Sequence, residues 1–334
     1  MVALSRTEDQ VRAALRVVGE SDAPAAEKAE MLMEIAMGMQ QKPQAPEDLH
    51  AAIELYRLGV EQAPSGQALL QARIRARMAT AMMAAPAADT GLLEAARGEL
   101  ETALATLGAE GLDTEIAEAE MNLGLVLQTL AGAGRARIQD AISAYQRALR
   151  VFDKAGHPAE FAILQNNLAT AFLSIPFTDE TGRMREALAV QAFEEGLRVV
   201  NLVDHPREYA MLQNNLGNAL QYASSSHRIE NGFRALEAYD AALKVRTARD
   251  APGEYANTIA NRANCLANLP DDPAAPEAGN ARNIAAALAL YAEAREIFER
   301  TGEHGKAEAV GGAMAELQSA QASFGVPAVQ EKDL

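Results

Sequence analysis

Apolar residues along this chain recur three and four apart almost throughout, the spacing that gathers them on one face of a helix. No run of alternating Val, Ile, Thr or Tyr flanked by turn residues interrupts that pattern, so strands are not expected. One signature returns six times: an Ala, a ring or Leu four residues later, then an Ala or Gly three after that. It reads Ala52/Tyr56/Gly59, Ala96/Leu100/Ala103, Ala141/Tyr145/Ala148, Ala189/Phe193/Gly196, Ala235/Tyr239/Ala242 and Ala287/Tyr291/Ala294. Positions i, i+4 and i+7 share a helix face, so the small residues admit a neighbouring helix and the larger one fills the space between.

Ahead of each signature lies a second helical block. Residues 159–175 (AEFAILQNNLATAFLSI) and 207–223 (REYAMLQNNLGNALQYA) agree at eight of seventeen positions, and each follows a His-Pro pair, His157-Pro158 and His205-Pro206. The chain is therefore a repeat of helix pairs, A then B, with signatures 44, 45, 48, 46 and 52 residues apart. The A helices carry Ile35-Ala36, Met78-Ala79, Leu123-Gly124, Leu168-Ala169, Leu216-Gly217 and Arg262-Ala263 at one equivalent slot, the last with a charge where the others are apolar. From the closing small residue of B to the next slot the distance is 19, 20, 20, 20 and 20 residues, a fixed join. From slot to signature it runs 17, 18, 18, 21, 19 and 25, so length variation collects in the A–B turns.

The pattern predicts an N-terminal helix near 5–19, helix pairs near 24–63, 66–107, 112–154, 158–202, 206–248 and 252–300, and a closing helix at 303–323. The segments 178–183 and 270–279 read as the longest loops, 132–135 as a tight turn, and 324–334 as a flexible tail. Residues 1–323 are expected to form one solenoid, its end repeats capped because they would otherwise expose an apolar face.

These residues resemble the tetratricopeptide repeat, whose pattern is Leu-Gly in helix A, Ala-x3-Phe in helix B and a closing Pro. Pro158, Pro206 and Pro252 stand in the Pro slot, each ten residues before the slot pair of helix A, where Pro opens a helix without losing a needed donor. The resemblance covers about 24–300 and implies an all-α fold, a right-handed α-α superhelix of about six helix pairs plus capping helices. The period near 45 departs from the usual 34, and the fixed join is more than one helical turn longer than usual.

Composition narrows the function. Forty-six acidic against thirty basic residues, a net charge of −16, leaves no concentrated basic surface for nucleic acid. No eighteen apolar residues run together, so no membrane span is expected, and the charged N-terminus lacks the apolar stretch of a signal peptide. One cysteine, Cys265, forms no intramolecular disulfide and fits a reducing, cytoplasmic setting.

The resemblance implies that the A helices line a binding groove. By that correspondence the position before the Leu slot is Asn122, Asn167, Asn215 and Asn261, with Asn166, Asn214, Asn218, Asn264, Asn268, Gln128, Gln221 and Tyr222 beside them. An amide side chain both donates and accepts, so a row of Asn at repeat spacing can hold an extended segment by its backbone. The alternative is that these amides bridge adjacent repeats by hydrogen bonds to backbone carbonyls. In the second repeat the row is replaced by Arg73 and Arg77, with Arg75 between, a candidate clamp for a carboxylate or a set of partners for Glu94, Glu99 or Glu101. Seven Met in the first two A helices, Met31, Met33, Met37, Met39, Met78, Met82 and Met83, suit either a core or an adaptable apolar surface.

No His-x3-His, Cys-x2-Cys or Glu-x2-His spacing and no Gly-rich phosphate loop occurs, so no catalytic residue, metal site or cofactor is expected. The expectation is a non-catalytic scaffold, adaptor or assembly chaperone that holds another protein or peptide segment, such as part of an enzyme subunit. A peptide-sensing regulator and a self-associating structural solenoid are the alternatives.

Overall fold

A computed structural model of the chain describes residues 6–85, 89–175, 180–223 and 227–324. Every regular element among them is helical, and within each compact unit of the chain consecutive helices pack on one another in the manner of a helical-repeat solenoid. None of these helices is long and apolar enough to cross a membrane. The chain divides into two compact units, 1–157 and 158–334.

The first unit holds α1 (Arg6–Glu20), α2 (Ala25–Gln41), α3 (Glu47–Gln62), α4 (Ala68–Ala84), α5 (Thr90–Glu110), α6 (Asp113–Gly132) and α7 (Ile138–Ala148). The second holds α8 (Pro158–Leu173), α9 (Glu180–Leu197), α10 (Pro206–Tyr222), α11 (Arg228–Leu243), α12 (Pro252–Ala267), α13 (Ala281–Arg300) and α14 (His304–Phe324). These are the predicted terminal helices and six pairs. Glu180–Leu197 begins inside the segment read as a loop at 178–183, of which 178 and 179 lie outside the described residues. So does the tail, apart from Phe324. The turn after α6 is closed by Gly134 at φ 70°, a backbone conformation that costs glycine nothing.

All positions of the Ala-x3-ring-x2-Ala/Gly signature are buried, Tyr56, Tyr145, Phe193 and Tyr239 completely. The A helix receives the ring through its small slot residue. A Cβ built on Gly124 would lie 2.4 Å from Tyr145 Cε1, and one on Gly217 would lie 2.6 Å from Tyr239 Cε1. The three completely buried tyrosines bring hydroxyls that then need partners. Tyr56 donates to Gln40 Oε1 at 2.9 Å and Tyr145 to Gln128 Oε1 at 2.8 Å. The Tyr239 hydroxyl sits 2.7 Å from Asn218 Oδ1 and 2.8 Å from Gln221 Oε1. Its single proton serves one of these, so both contacts are satisfied when the other amide turns its NH2 toward the hydroxyl. Each Gln lies five residues past the slot. In the repeat whose ring is Phe193, the same position is Leu173, a partly buried apolar residue.

Three of the fixed joins, those ahead of Pro158, Pro206 and Pro252, share a mechanism as well as a length. Asp153 Oδ1 accepts from the backbone N–H of Ala155 and Gly156, and Asn201 Oδ1 from those of Val203 and Asp204. In the next join the Thr247 hydroxyl accepts from Asp250 N–H. In each, the residue before the Pro donates its backbone N–H to the same starting residue, His157 to Asp153, His205 to Asn201 and Ala251 to Thr247. Side-chain turns of this kind fix the path of these three connections.

At the ends, Asp48 accepts from the Thr7 hydroxyl at 2.6 Å and from the N–H groups of Gln44 and Ala45, tying α1 to the start of α3. Ala307 and Val310 of α14 cover Ile297 and Phe298 of α13. The loop at 270–279 is ordered around Asp271, whose carboxylate accepts from the N–H groups of Arg282 and Asn283 and so caps α13.

Candidate functional site

Five asparagines of the second unit form one connected chain. Asn261 Nδ2 donates to Asn214 Oδ1 at 3.3 Å, Asn214 Nδ2 to Asn215 Oδ1 at 3.0 Å, Asn215 Nδ2 to Asn166 Oδ1 at 2.7 Å, and Asn166 Nδ2 to Asn167 Oδ1 at 3.2 Å. Five amides thus link α12, α10 and α8 with every donor pointing the same way. The bridging expected between repeats runs side chain to side chain rather than to backbone carbonyls. Asn166 and Asn214 are buried, and Asn167, Asn215 and Asn261 are half-buried. The QNN sequence explains the split: adjacent helical positions are about 100° apart, so one Asn of each pair turns inward and its neighbour lies at the rim.

The flanking candidates have separate partners. Asn218 and Gln221 serve the Tyr239 hydroxyl. Asn264 donates to the hydroxyl of Tyr222, whose ring stands 66 % exposed at the end of α10. Asn268 is anchored to the Asn264 carbonyl. Arg262, the charge in the apolar slot, is half-buried and pairs with Asp240 of α11 at 2.7 Å.

Asn122 is not part of this chain; it belongs to the first unit, where it lines a pocket of about 80 Å³ together with Arg73, Arg77 and Glu118. The two arginines have different fates. Arg73 makes a two-pronged contact with Glu115 of α6, Nε to Oε1 at 2.7 Å and Nη2 to Oε2 at 3.2 Å. Glu115 also accepts from Leu112 N–H, and these bonds, led by that from Arg73, hold its carboxyl below the usual range. Arg75 pairs with Glu99 of α5, one of the partners expected from sequence. Arg77 is exposed and makes no ion pair among the described residues. Of the methionines, Met78 and Met82 are core, whereas Met31, Met33, Met37, Met39 and Met83 are half-buried.

Cys265 is buried, its thiol donates to the Gly232 carbonyl at 3.3 Å, and desolvation pushes its pKa up to about 11. A thiol in that state is a small core group. Among the described residues, no three His, Cys, Asp or Glu side chains converge to hold a metal ion.

Sequence reasoning missed a charge whose side chain is only 11 % exposed. Arg246 lies in the join before α12, four residues past the signature, where the two preceding joins have Phe152 and Val200, both buried. It donates to the hydroxyl of Thr258, which is fully buried where those repeats have Leu164 and Leu212. Glu254 lies 3.4 Å from Arg246 Nε, which has no hydrogen-bond partner. Aligning the joins residue by residue exposes this coupled exchange of two apolar residues for two polar ones.

No family model matches the chain, and no curated protein matches it.

Proposed function

We propose that this chain is a non-catalytic interaction scaffold of the tetratricopeptide kind, an adaptor or assembly chaperone acting in the cytoplasm. It holds a segment of another polypeptide against its A helices. The observation that carries this reading is the amide face on α8, α10 and α12. Once their mutual bonds are counted, Asn167, Asn215 and Asn261 each keep at least one N–H and one lone pair. A peptide group offers the complement, one acceptor and one donor, and an extended backbone presents them at regular intervals. The exposed Tyr222 ring beside this row adds a rigid apolar contact with a polar tip.

The test is site-specific photo-crosslinking in the native host. A photoreactive residue at Asn167 or Tyr222 should capture one discrete protein, whereas the same residue at exposed Glu237 on α11 should not. Equal capture from both faces, or capture from α11 alone, overturns the proposal. Tyr222→Ser, which removes an exposed ring, should weaken capture with helical content unchanged.

A further inference from the structure

The amide chain has a property that no single asparagine in it possesses. Each of its two buried members, Asn166 and Asn214, donates on one side and accepts on the other. Turning one of them alone about its last side-chain bond would set N–H against N–H at one contact and oxygen against oxygen at the next. Both bonds would be lost in a site with little water to replace them. Turning all five together restores every contact with donor and acceptor exchanged.

We propose that Asn261, Asn214, Asn215, Asn166 and Asn167 form a single two-state element whose donor direction reverses as a unit. A group that hydrogen-bonds at one end thereby sets the hydrogen-bonding character of the other. In the observed direction Asn167 presents two uncommitted N–H groups and Asn261 an uncommitted oxygen; in the reversed direction the offers are exchanged. A carbonyl or carboxylate docking on Asn261 selects the reversed state and turns Asn167 toward donors. This gives a physical coupling across three helices that requires no backbone movement, the discrete element that a claim of coupling needs. It does not depend on which partner the chain binds.

An ionised Asp accepts hydrogen bonds and donates none, so it fixes the direction at its position. Asn167→Asp is compatible with the observed direction, since position 167 already accepts. Asn261→Asp is compatible only with the reversed one. Each single variant therefore keeps the whole chain bonded, while the double variant forces one acceptor-against-acceptor defect. Hydrogen exchange of the α10 amides at pH 7 in 1 M salt, where charges are screened beyond about 3 Å, gives the opening equilibrium constant of each variant. The double variant should open more readily than the product of the singles by on the order of tenfold. In an Asn215→Ala background, which cuts the chain, that excess should vanish. Multiplicative effects in the intact chain overturn the proposal, and so does an excess that survives Asn215→Ala. Should the double variant fail to fold, the singles still decide. With selectively labelled asparagine, Asn261→Asp should shift the side-chain NH2 resonances of Asn166, and Asn167→Asp should leave those of Asn214 in place. Asn166 resonances unmoved by Asn261→Asp would rule out reversal as a unit.

Discussion

Adding one methyl group at Gly217 sets two effects of known size against each other. Gly in a helix interior is worth about 1 kcal/mol less than Ala, so Gly217→Ala should stabilise α10 if nothing stands in the way. Here the new Cβ would lie 2.6, 2.8 and 2.9 Å from Cε1, Cζ and Cδ1 of Tyr239, a ring with no exposed surface into which to retreat. Carbon atoms pack best about 3.5–4.0 Å apart, so the ring must move by roughly 1 Å. Overpacking of this kind costs about 1–3 kcal/mol. The same movement draws the hydroxyl away from Asn218 and Gln221, worth about 1 kcal/mol more. The net expectation is a loss of about 1–3 kcal/mol after the helix gain is subtracted. Gly98 in α5 is the reference, an exposed helical glycine whose added Cβ would meet nothing within 4 Å. Gly98→Ala should therefore stabilise by up to about 1 kcal/mol. Urea titrations followed by circular dichroism, with hydrogen exchange to assign the change to α10 and α11, measure both. The double variant Gly217→Ala/Tyr239→Leu reproduces the Ala79/Leu100 combination of the second repeat and should recover part of the loss. If Gly217→Ala stabilised the protein as Gly98→Ala does, the steric argument would be refuted.

Three further outcomes follow from the same contacts. Arg246→Val with Thr258→Leu installs the Val200/Leu212 pair of the preceding repeat and should stabilise by about 1–4 kcal/mol, read as slower exchange in α12, because a buried ionic group gives way to packed apolar ones; faster exchange would count against it. Asp48 is held below its ordinary 3.8, first by the Thr7 hydroxyl and then by the Gln44 and Ala45 N–H groups, against the opposing effect of burial. Its stabilising contribution is complete above that value and disappears as the pH falls through the lowered one, so limited proteolysis of α1 should accelerate only on acidification below about pH 4. Asp48→Asn should remove that pH dependence, and an unchanged profile would disprove the assignment. Finally, Cys265 should resist iodoacetamide at pH 8 in the folded chain and react once unfolded, given its burial and raised pKa; rapid labelling of the native protein would contradict the core assignment.

Much of the fold was legible because its determinants are local and repeated. Ala-x3-ring-x2-Ala/Gly marks a buried helix face wherever it occurs, and six occurrences at nearly constant spacing placed all six pairs. The start of α9 was misplaced because Thr178–Arg183 is polar and contains a Gly, a composition that reads as loop, although Glu180–Arg183 form the first turn of the helix. The candidate site was legible as a set of residues but not as an arrangement. Asn122 and Asn167 occupy equivalent slots, yet Asn122 joins Arg73 and Arg77 at a pocket while Asn167 ends an amide chain. Arg73 and Arg77 share a helix face, yet only Arg73 meets a carboxylate, because Glu115 projects from the next A helix.

By itself, then, the sequence determined that the chain is helical, where its helix pairs lie, which residues form the repeated core signature and that its joins are nearly constant in length. Each of these rests on side-chain size and polarity at short spacing, which a single repeat already encodes. Only the tertiary structure decided what the polar residues do. A hydrogen bond between Asn215 and Asn166, or between Arg246 and Thr258, depends on the distance and direction between atoms on different elements, and those are set when the helices pack.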